Sequence, residues 1–184
     1  MEADTENQLE VAVDSIRVHM ATGQHVVILK EKGAERYLPI WIGNFEANAI
    51  ALKITGVAVE RPVTHDLINH VFAELGIQLN RIVVTALADE VFYASLQVVH
   101  MGREVDIDSR PSDAIALAVR FECPIFVATS VLEEAGVTPD PDDTEGGAGG
   151  DGRSGDDDRL DVFRNLVNSL DLPDLPDDPG RTSS

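Results

Sequence analysis

The sequence has one cysteine, Cys123, among its 184 residues, so an intrachain disulfide is excluded. Cys123 lies in an apolar stretch ahead of Pro124, which predicts a buried free thiol in a reducing compartment. The His and Cys spacing of zinc sites, the glycine-rich phosphate loop and the serine nucleophile turn are missing as well. Functions that depend on these motifs are therefore not indicated.

Positive charge is scarce: 14 Lys and Arg side chains stand against 33 Asp and Glu side chains, which gives a formal net charge of -19. Residues 137–184 alone carry 13 acidic and 4 basic side chains. The remaining chain is acidic too, so it lacks the basic stripe with which most nucleic-acid-binding proteins neutralise phosphates. This composition argues against tight, nonspecific binding of nucleic acid.

Long apolar runs are missing, and none approaches the roughly 20 residues needed to cross a bilayer. Residues 1–10 are acidic and polar, without the basic leader and the apolar stretch of a signal peptide. We therefore expect a cytoplasmic protein that has no membrane partner.

What the sequence does contain is a series of short apolar segments with two periodicities. Segments rich in Val, Ile and aromatic residues predict strands, and segments with apolar residues at helical spacing predict helices. Tight turns between several strands imply antiparallel pairing. The predicted strands are residues 9–19, 25–30, 37–42, 79–88, 91–100, 104–107 and 124–128, and the predicted helices are residues 44–55, 64–75, 112–121 and 130–135, the last capped by Ser130. We expect one α+β domain over residues 8–136, with a mixed, largely antiparallel sheet and packed helices.

The composition changes after Gly136. Residues 137–158 contain too few apolar side chains to offset the entropy of ordering the chain, so we expect a disordered acidic linker. Residues 159–171 predict a short amphipathic helix that docks onto the domain or onto a protein partner. Residues 172–184 are expected to be a disordered tail.

One short motif occurs twice, at residues 61–66 and 110–113. Each copy, here called the repeated motif, contains an arginine, a proline, a residue with a hydroxyl group and an aspartate. A proline near the first helical position costs no backbone hydrogen bond, and Thr64 or Ser112 beside it can cap the free amides. Both segments therefore predict helix starts. Such a helix N-terminus offers N–H groups and a partial positive charge to an anion, and the arginine adds a planar fork suited to phosphate.

Carboxylates gather near these helix starts. Asp106 and Asp108 stand two apart on a predicted strand, so their side chains leave the same face, and Asp113 follows shortly after. With Glu46 on the first helix and His65 on the second, they could form one acidic hollow that both helix tips face. Such a grouping could hold a hard divalent cation through oxygen ligands, activate water and clamp a phosphate.

These residues also have structural interpretations. Asp66 and Asp113 lie in first helical turns, where a carboxylate favours the helix dipole without any ligand. Arg61 and Arg110 can pair with nearby aspartates and only fix the loops. His65 can be an exposed first-turn residue. The spacing alone does not decide between the two sets of interpretations.

Several motifs together resemble the bifunctional nuclease domain family. Residues 38–43 (LPIWIG), 61–67 (RPVTHDL) and 108–118 (DSRPSDAIALA) occur in the family's order, and the match runs from about Val11 to Gly136. The resemblance implies a compact α+β domain that tends to self-associate, and plant relatives are described as having both DNase and RNase activity. The polar motif residues that the resemblance carries over are Glu46, Arg61, Thr64, His65, Asp66, Asp108, Arg110, Ser112 and Asp113.

The leading hypothesis is a metal-assisted nuclease of low sequence specificity that acts on DNA, RNA or both. Single strands suit an acidic protein better, because fewer phosphates crowd the approach. One alternative is a noncatalytic module that binds an anion or nucleotide and regulates a partner through the acidic tail. Another alternative is that the repeated motif has a purely structural role, with both arginines at the interface of a homo-oligomer. Under the leading hypothesis the catalytic residues are His65, Asp66, Asp108 and Asp113, the substrate-binding residues are Arg61, Thr64, Arg110 and Ser112, and the ligands of Mg²⁺ or Mn²⁺ are Glu46, Asp108 and Asp113.

Overall fold

The predicted strands join into one sheet in the computed structural model, which describes residues 7–19 and 22–139. The strands are β1 (Gln8–Val18), β2 (His25–Glu31), β3 (Tyr37–Ile42), β4 (Gln78–Ala88), β5 (Val91–His100), β6 (Arg103–Ser109) and β7 (Ile125–Ala128). Within the described residues these seven strands lie in the order β3-β2-β1-β7-β4-β5-β6. The pair β4 and β7 is parallel and the other neighbours are antiparallel, which confirms the predicted mixed, largely antiparallel α+β sheet.

The turn between β4 and β5 explains how the edge of the sheet near the site is built. Asp89 and Glu90 both have positive φ, at 49° and 62°, as the tight two-residue turns of hairpins require. Asp tolerates this conformation better than Glu, so part of the turn is strained. The hairpin sets β5 beside β4, and β6 then pairs with β5 as the edge strand. That edge strand ends at Ser109, directly before Arg110.

The helices of the described chain are α1 (Asn44–Ile54), α2 (Thr64–Glu74), α3 (Pro111–Phe121) and α4 (Thr129–Ala135). Helix α3 lies at the centre, because it packs against α1, α2, β4 and β5. Its buried face includes Ala114, Ala116 and Ala118, whose small side chains permit close approach of neighbouring elements. Helix α4 instead contacts β3, β4 and β7. The two copies of the repeated motif thus lie at the starts of α2 and α3, which pack on each other.

The starts of α2 and α3 confirm the predicted helix boundaries but not the predicted caps. Helix α2 follows Val63, whose N–H donates to the Asp66 Oδ2 over 3.1 Å, and α3 follows Arg110 with proline as its first residue. The prediction that Thr64, Ser112 and Ser130 cap their helices is wrong. Each lies inside its helix, after the residue that occupies the cap position, and no side chain caps α2, α3 or α4 from there.

The end of α2 follows the sequence signal. Gly76 has a φ of 65°, and the N–H of Ile77 donates to the carbonyl of Phe72 over 2.8 Å. This pattern closes a helix because glycine adopts the left-handed conformation without a Cβ penalty. Local hydrogen bonds therefore define both ends of α2, and they determine which residues form its first turn.

A buried arginine, Arg120, connects the three helices on this face of the sheet. Its Nε donates to the Asp66 Oδ1 over 2.5 Å, its Nη1 to the Ala116 carbonyl over 2.8 Å and its Nη2 to the Ala49 carbonyl over 3.1 Å. The Arg120 side chain is 3% exposed. A buried charge is tolerated only when it is paired and hydrogen-bonded, and each guanidinium nitrogen of Arg120 meets that condition. The partner of Asp66 is thus Arg120, and the alternative of a pair with Arg61 is wrong.

Three further sequence predictions concern regions away from the site. Cys123 is a free, partly buried thiol, and burial raises its pKa to about 11. Within the described part of the chain, no helix has the length and apolar character needed to cross a membrane. Most of the predicted linker, the predicted helix over residues 159–171 and the predicted tail lie outside the described residues.

The Arg120 contacts generate a stability prediction. We expect Arg120→Leu to lower the free energy of unfolding by about 3 kcal/mol, because Asp66 loses the cation that compensates its partial burial. Urea denaturation measures the change. The control is Lys32→Ala, which removes a surface ion pair with Glu10 and should cost less than about 1 kcal/mol. Equal losses in the two variants would show that Arg120 does not connect the helices.

Candidate active site

Six of the nine predicted site residues line one cavity of about 710 Å³. The cavity lies between α1 and α2, and residues of β5, β6 and α3 complete its wall. The first turns of α2 and α3 therefore line one cavity, as the repeated motif predicts. The six residues are Glu46, Thr64, His65, Asp108, Arg110 and Asp113.

Four of these side chains form a continuous series of polar contacts. The Nε2 of His65 lies 3.1 Å from the Asp113 Oδ1. The Asp113 Oδ2 accepts from the Nε of Arg110 over 2.7 Å. The Nη2 of Arg110 lies 3.0 Å from the Glu46 Oε1. The series joins the first turns of α1, α2 and α3, so its geometry depends on how the three helices pack.

His65 lies in the first turn of α2 and is 8% exposed. Because an ionised carboxylate only accepts hydrogen bonds, the contact with Asp113 places a proton on Nε2. Whenever the ring carries only this proton, Nδ1 is its proton-accepting nitrogen. The interpretation of His65 as an exposed first-turn residue is wrong, and the residue is instead a buried histidine oriented by an aspartate.

Arg110 is the cation of the site. Its side chain is 67% exposed, whereas those of Glu46 and Asp113 are 18% and 29% exposed. The hydrogen bond to Asp113 raises the pKa of Arg110 above its ordinary value, and the charge of Glu46 adds to this effect. The contacts of Arg110 with Asp113 and Glu46 are made through its Nε and Nη2. The two carboxylates thus hold the guanidinium at the solvent side of the cavity with donors to spare for an anion.

Gly43 makes room for Glu46. A Cβ added at Gly43 would lie 2.2 Å from the Glu46 Oε2, closer than atoms can approach. The φ of Gly43 is -68°, so its backbone does not demand glycine, and the close carboxylate is the constraint. From the sequence alone, Gly43 is only the residue between a predicted strand and a predicted helix. A glycine three residues before a helical glutamate is the sequence signal that could have indicated this close approach of the Glu46 carboxylate.

Three predicted site residues lie outside the cavity wall. Asp66 faces Arg120 on the other side of α2; burial disfavours its charge, but hydrogen bonds from Arg120 and from the Val63 N–H lower its pKa below the ordinary value. Ser112 is 6% exposed within the first turn of α3. Arg61 is exposed and precedes α2. The structure thus places Asp66 in helix packing, and it does not bring Arg61 or Ser112 to the cavity wall.

The three predicted metal ligands do not form one cluster. Glu46 and Asp113 both contact Arg110, whereas Asp108 lines the cavity and belongs to no ion pair among the described residues. Asp106 lines a different cavity, together with Ser95 and Gln97. Over residues 7–19 and 22–139, no three His, Cys, Asp or Glu side chains lie close enough together to hold a metal ion.

The apolar wall of the cavity is not evident from the sequence. Ala49 and Leu52 of α1, Ile68 and Phe72 of α2, and Leu117 of α3 line it. The helical spacing of Ile68 and Phe72 predicts the packed face of α2, and the same spacing also fits a wall around an open cavity. The site is therefore polar at the helix tips and apolar in its interior.

Comparisons with known proteins agree on one family. A family model described as the bifunctional nuclease domain matches residues 27–140. An uncharacterized protein of Mycobacterium tuberculosis is 44% identical over 137 residues, which cover 74% of this chain and 82% of that protein. Bifunctional nuclease 1 of Oryza sativa subsp. indica is 24% identical over 136 residues, 70% of this chain and 41% of that protein. Bifunctional nuclease 2 of Arabidopsis thaliana is 30% identical over 105 residues, 55% of this chain and 32% of that protein.

The contact between Gly43 and Glu46 can be tested by adding one methyl group. We expect Gly43→Ala to displace the Glu46 carboxylate from Arg110 while the Asp113 contact persists, since the alanine Cβ occupies the place of Oε2. A crystal structure of the variant measures both distances. The fold should be retained, with a loss of less than about 1 kcal/mol in the free energy of unfolding, because the broken ion pair is partly exposed. A Glu46 carboxylate still bonded to Arg110 would contradict this assignment.

Proposed function

The chain belongs to the bifunctional nuclease domain family, and from this membership we propose that it hydrolyses phosphodiester bonds of DNA or RNA in the cavity at the helix tips. The observation that supports the proposal is the contact series from His65 through Asp113 to Arg110, because it joins an oriented proton acceptor to a phosphate-binding cation. Both groups line the same cavity. We expect low sequence specificity and a preference for single strands.

His65 serves as the proton-transfer group. Hydrolysis of a phosphodiester requires removal of a proton from the attacking water and delivery of a proton to the leaving oxygen. In the proposed arrangement the Nδ1 of His65 accepts the proton of the attacking water as its oxygen bonds to phosphorus, the bond between phosphorus and the leaving oxygen breaks, and the leaving oxygen takes a proton from bulk water. Asp113 stabilises the imidazolium that forms and holds the ring in one orientation. Proton transfer by a positioned histidine contributes about 10²- to 10⁴-fold to a rate.

Arg110 serves as the phosphate-binding group. Its exposed guanidinium is held from two sides by Glu46 and Asp113, so little side-chain freedom is lost when an anion binds. Hydrogen bonds from a guanidinium to a phosphate are charge-assisted and stabilise the negative charge that develops on the phosphoryl oxygens. The two carboxylates repel a phosphate, but the guanidinium is the most exposed of the three groups. An incoming phosphate therefore meets the cation first.

The requirement for Mg²⁺ or Mn²⁺ stays a prediction. These cations prefer several oxygen ligands in a near-octahedral set. Glu46 and Asp113 already bind a guanidinium, and Asp108 shares no contact with them, so the three carboxylates do not fit such a set in the described arrangement. The roles of His65 and Arg110 are derived without any step through a metal.

The noncatalytic alternative is favoured by charge. The net charge of -19 and the two carboxylates on Arg110 both disfavour a long polyanion more than a small anion. A regulatory module would gain melting temperature from a nucleotide or phosphorylated metabolite and would leave oligonucleotides uncut. Self-association and a protein partner for the C-terminal segment also remain predictions.

Cleavage of labelled single-stranded DNA and RNA tests the proposed roles. We expect His65→Asn and Asp113→Asn to reduce kcat by about 10²- to 10⁴-fold, because each removes part of the proton-transfer pair. The matched control is Asp106→Asn, a carboxylate of β6 that lines a different cavity and should leave kcat unchanged. Reactions with EDTA and with added Mg²⁺ or Mn²⁺ test the metal prediction separately. Equal cleavage by all variants would indicate a contaminant and overturn these roles.

A further inference from the structure

An exposed aromatic side chain stands at the cavity. Phe45 is the second residue of α1, directly before Glu46, and it lines the cavity although it is 87% exposed. Exposing an aromatic ring of this size to water costs free energy that burial would recover. Phe45 therefore presents an apolar flat face to whatever enters the cavity.

The rest of the cavity defines what that ligand is. Its interior is apolar, with Leu52, Ile68 and Phe72 among its walls, while the contact series at the helix tips is polar and holds Arg110. A ligand that matches both parts carries a flat, weakly polar group and a phosphate on one molecule. A nucleotide whose base is unpaired and unstacked has this chemistry, and a base inside a duplex does not offer its face.

We propose that Phe45 is a stacking platform for an unpaired base of the substrate, and that the apolar cavity is the base subsite beside Arg110. This inference rests on the proposed nuclease function and assigns its substrate class as single-stranded or locally unpaired nucleic acid. Stacking is tolerant of sequence, because every base has a π face. The subsite thus gives low sequence specificity and strand selectivity from one contact.

Kinetics on a single-stranded oligonucleotide and on a fully abasic oligomer of the same length test the subsite. We expect Phe45→Ala to raise KM for the oligonucleotide about 5- to 150-fold, as loss of one base–aromatic stack would, with a much smaller change in kcat. Phe45→Trp should keep KM near the wild-type value. The abasic oligomer should give the same KM with the wild-type protein and with Phe45→Ala.

Met101 provides the matched control, because it is also 87% exposed but lies in the turn after β5 and does not line the cavity. Met101→Ala should leave KM unchanged for both oligomers. The subsite is overturned if Phe45→Ala and Met101→Ala behave alike. It is also overturned if Phe45→Ala changes the mass measured by light scattering, since Phe45 would then belong to a contact between subunits.

Binding separates failure of this inference from failure of the proposed function. If the wild-type protein cuts nothing, the nuclease proposal fails, and fluorescence anisotropy with a labelled single-stranded oligonucleotide then decides the subsite. Binding by the wild-type protein and by Met101→Ala that is lost in Phe45→Ala supports base stacking in a noncatalytic site. Absence of binding by the wild-type protein overturns the subsite as well.

Discussion

The buried guanidinium of Arg120 is the contact on which the site geometry depends. It joins a carbonyl of α1, a carbonyl of its own helix α3 and the carboxylate of Asp66 in the first turn of α2. Successive residues of a helix point about 100° apart, so holding Asp66 toward Arg120 directs His65 to another side of α2. There His65 meets Asp113, 48 residues away in the sequence. A structural ion pair thus orients the neighbouring His65 side chain toward the cavity.

The site combines opposite electrostatic demands in a small volume. Glu46 and Asp113 position Arg110 and keep it charged, and they also reduce the net positive charge that a phosphate encounters. Attraction of a polyanion at a distance is weak for such an acidic chain, and at physiological ionic strength charges beyond roughly 8 Å are largely screened. Under the proposed function, recognition must therefore come from short-range contacts in the cavity. This favours a substrate that places one phosphate and one apolar group there together.

Much of the fold could be predicted from the sequence because its signals are local. Segments rich in Val, Ile and aromatic residues predicted the strands. The repeated Arg-Pro motif predicted two helix starts, and both line one cavity. The structural role of Arg120 could not be predicted, because an arginine in a helix is expected to face solvent. Its partners, Asp66 and the Ala49 carbonyl, lie on other helices that are far away in the sequence. His65 and Asp66 are adjacent, and the sequence predicts a catalytic role for both because it does not show in which direction each side chain points. Only packing decides which of them faces the cavity.

A double-mutant cycle on His65 and Asp113 tests the central claim, that these two residues act as one proton-transfer unit. The value of kcat/KM for a single-stranded oligonucleotide is measured for the wild-type protein, His65→Asn, Asp113→Asn and the double variant. Residues that act as a unit are strongly non-additive, so we expect the double variant to be no slower than the slower single variant. Losses that add in free energy would show that the two side chains act independently and would contradict the claim.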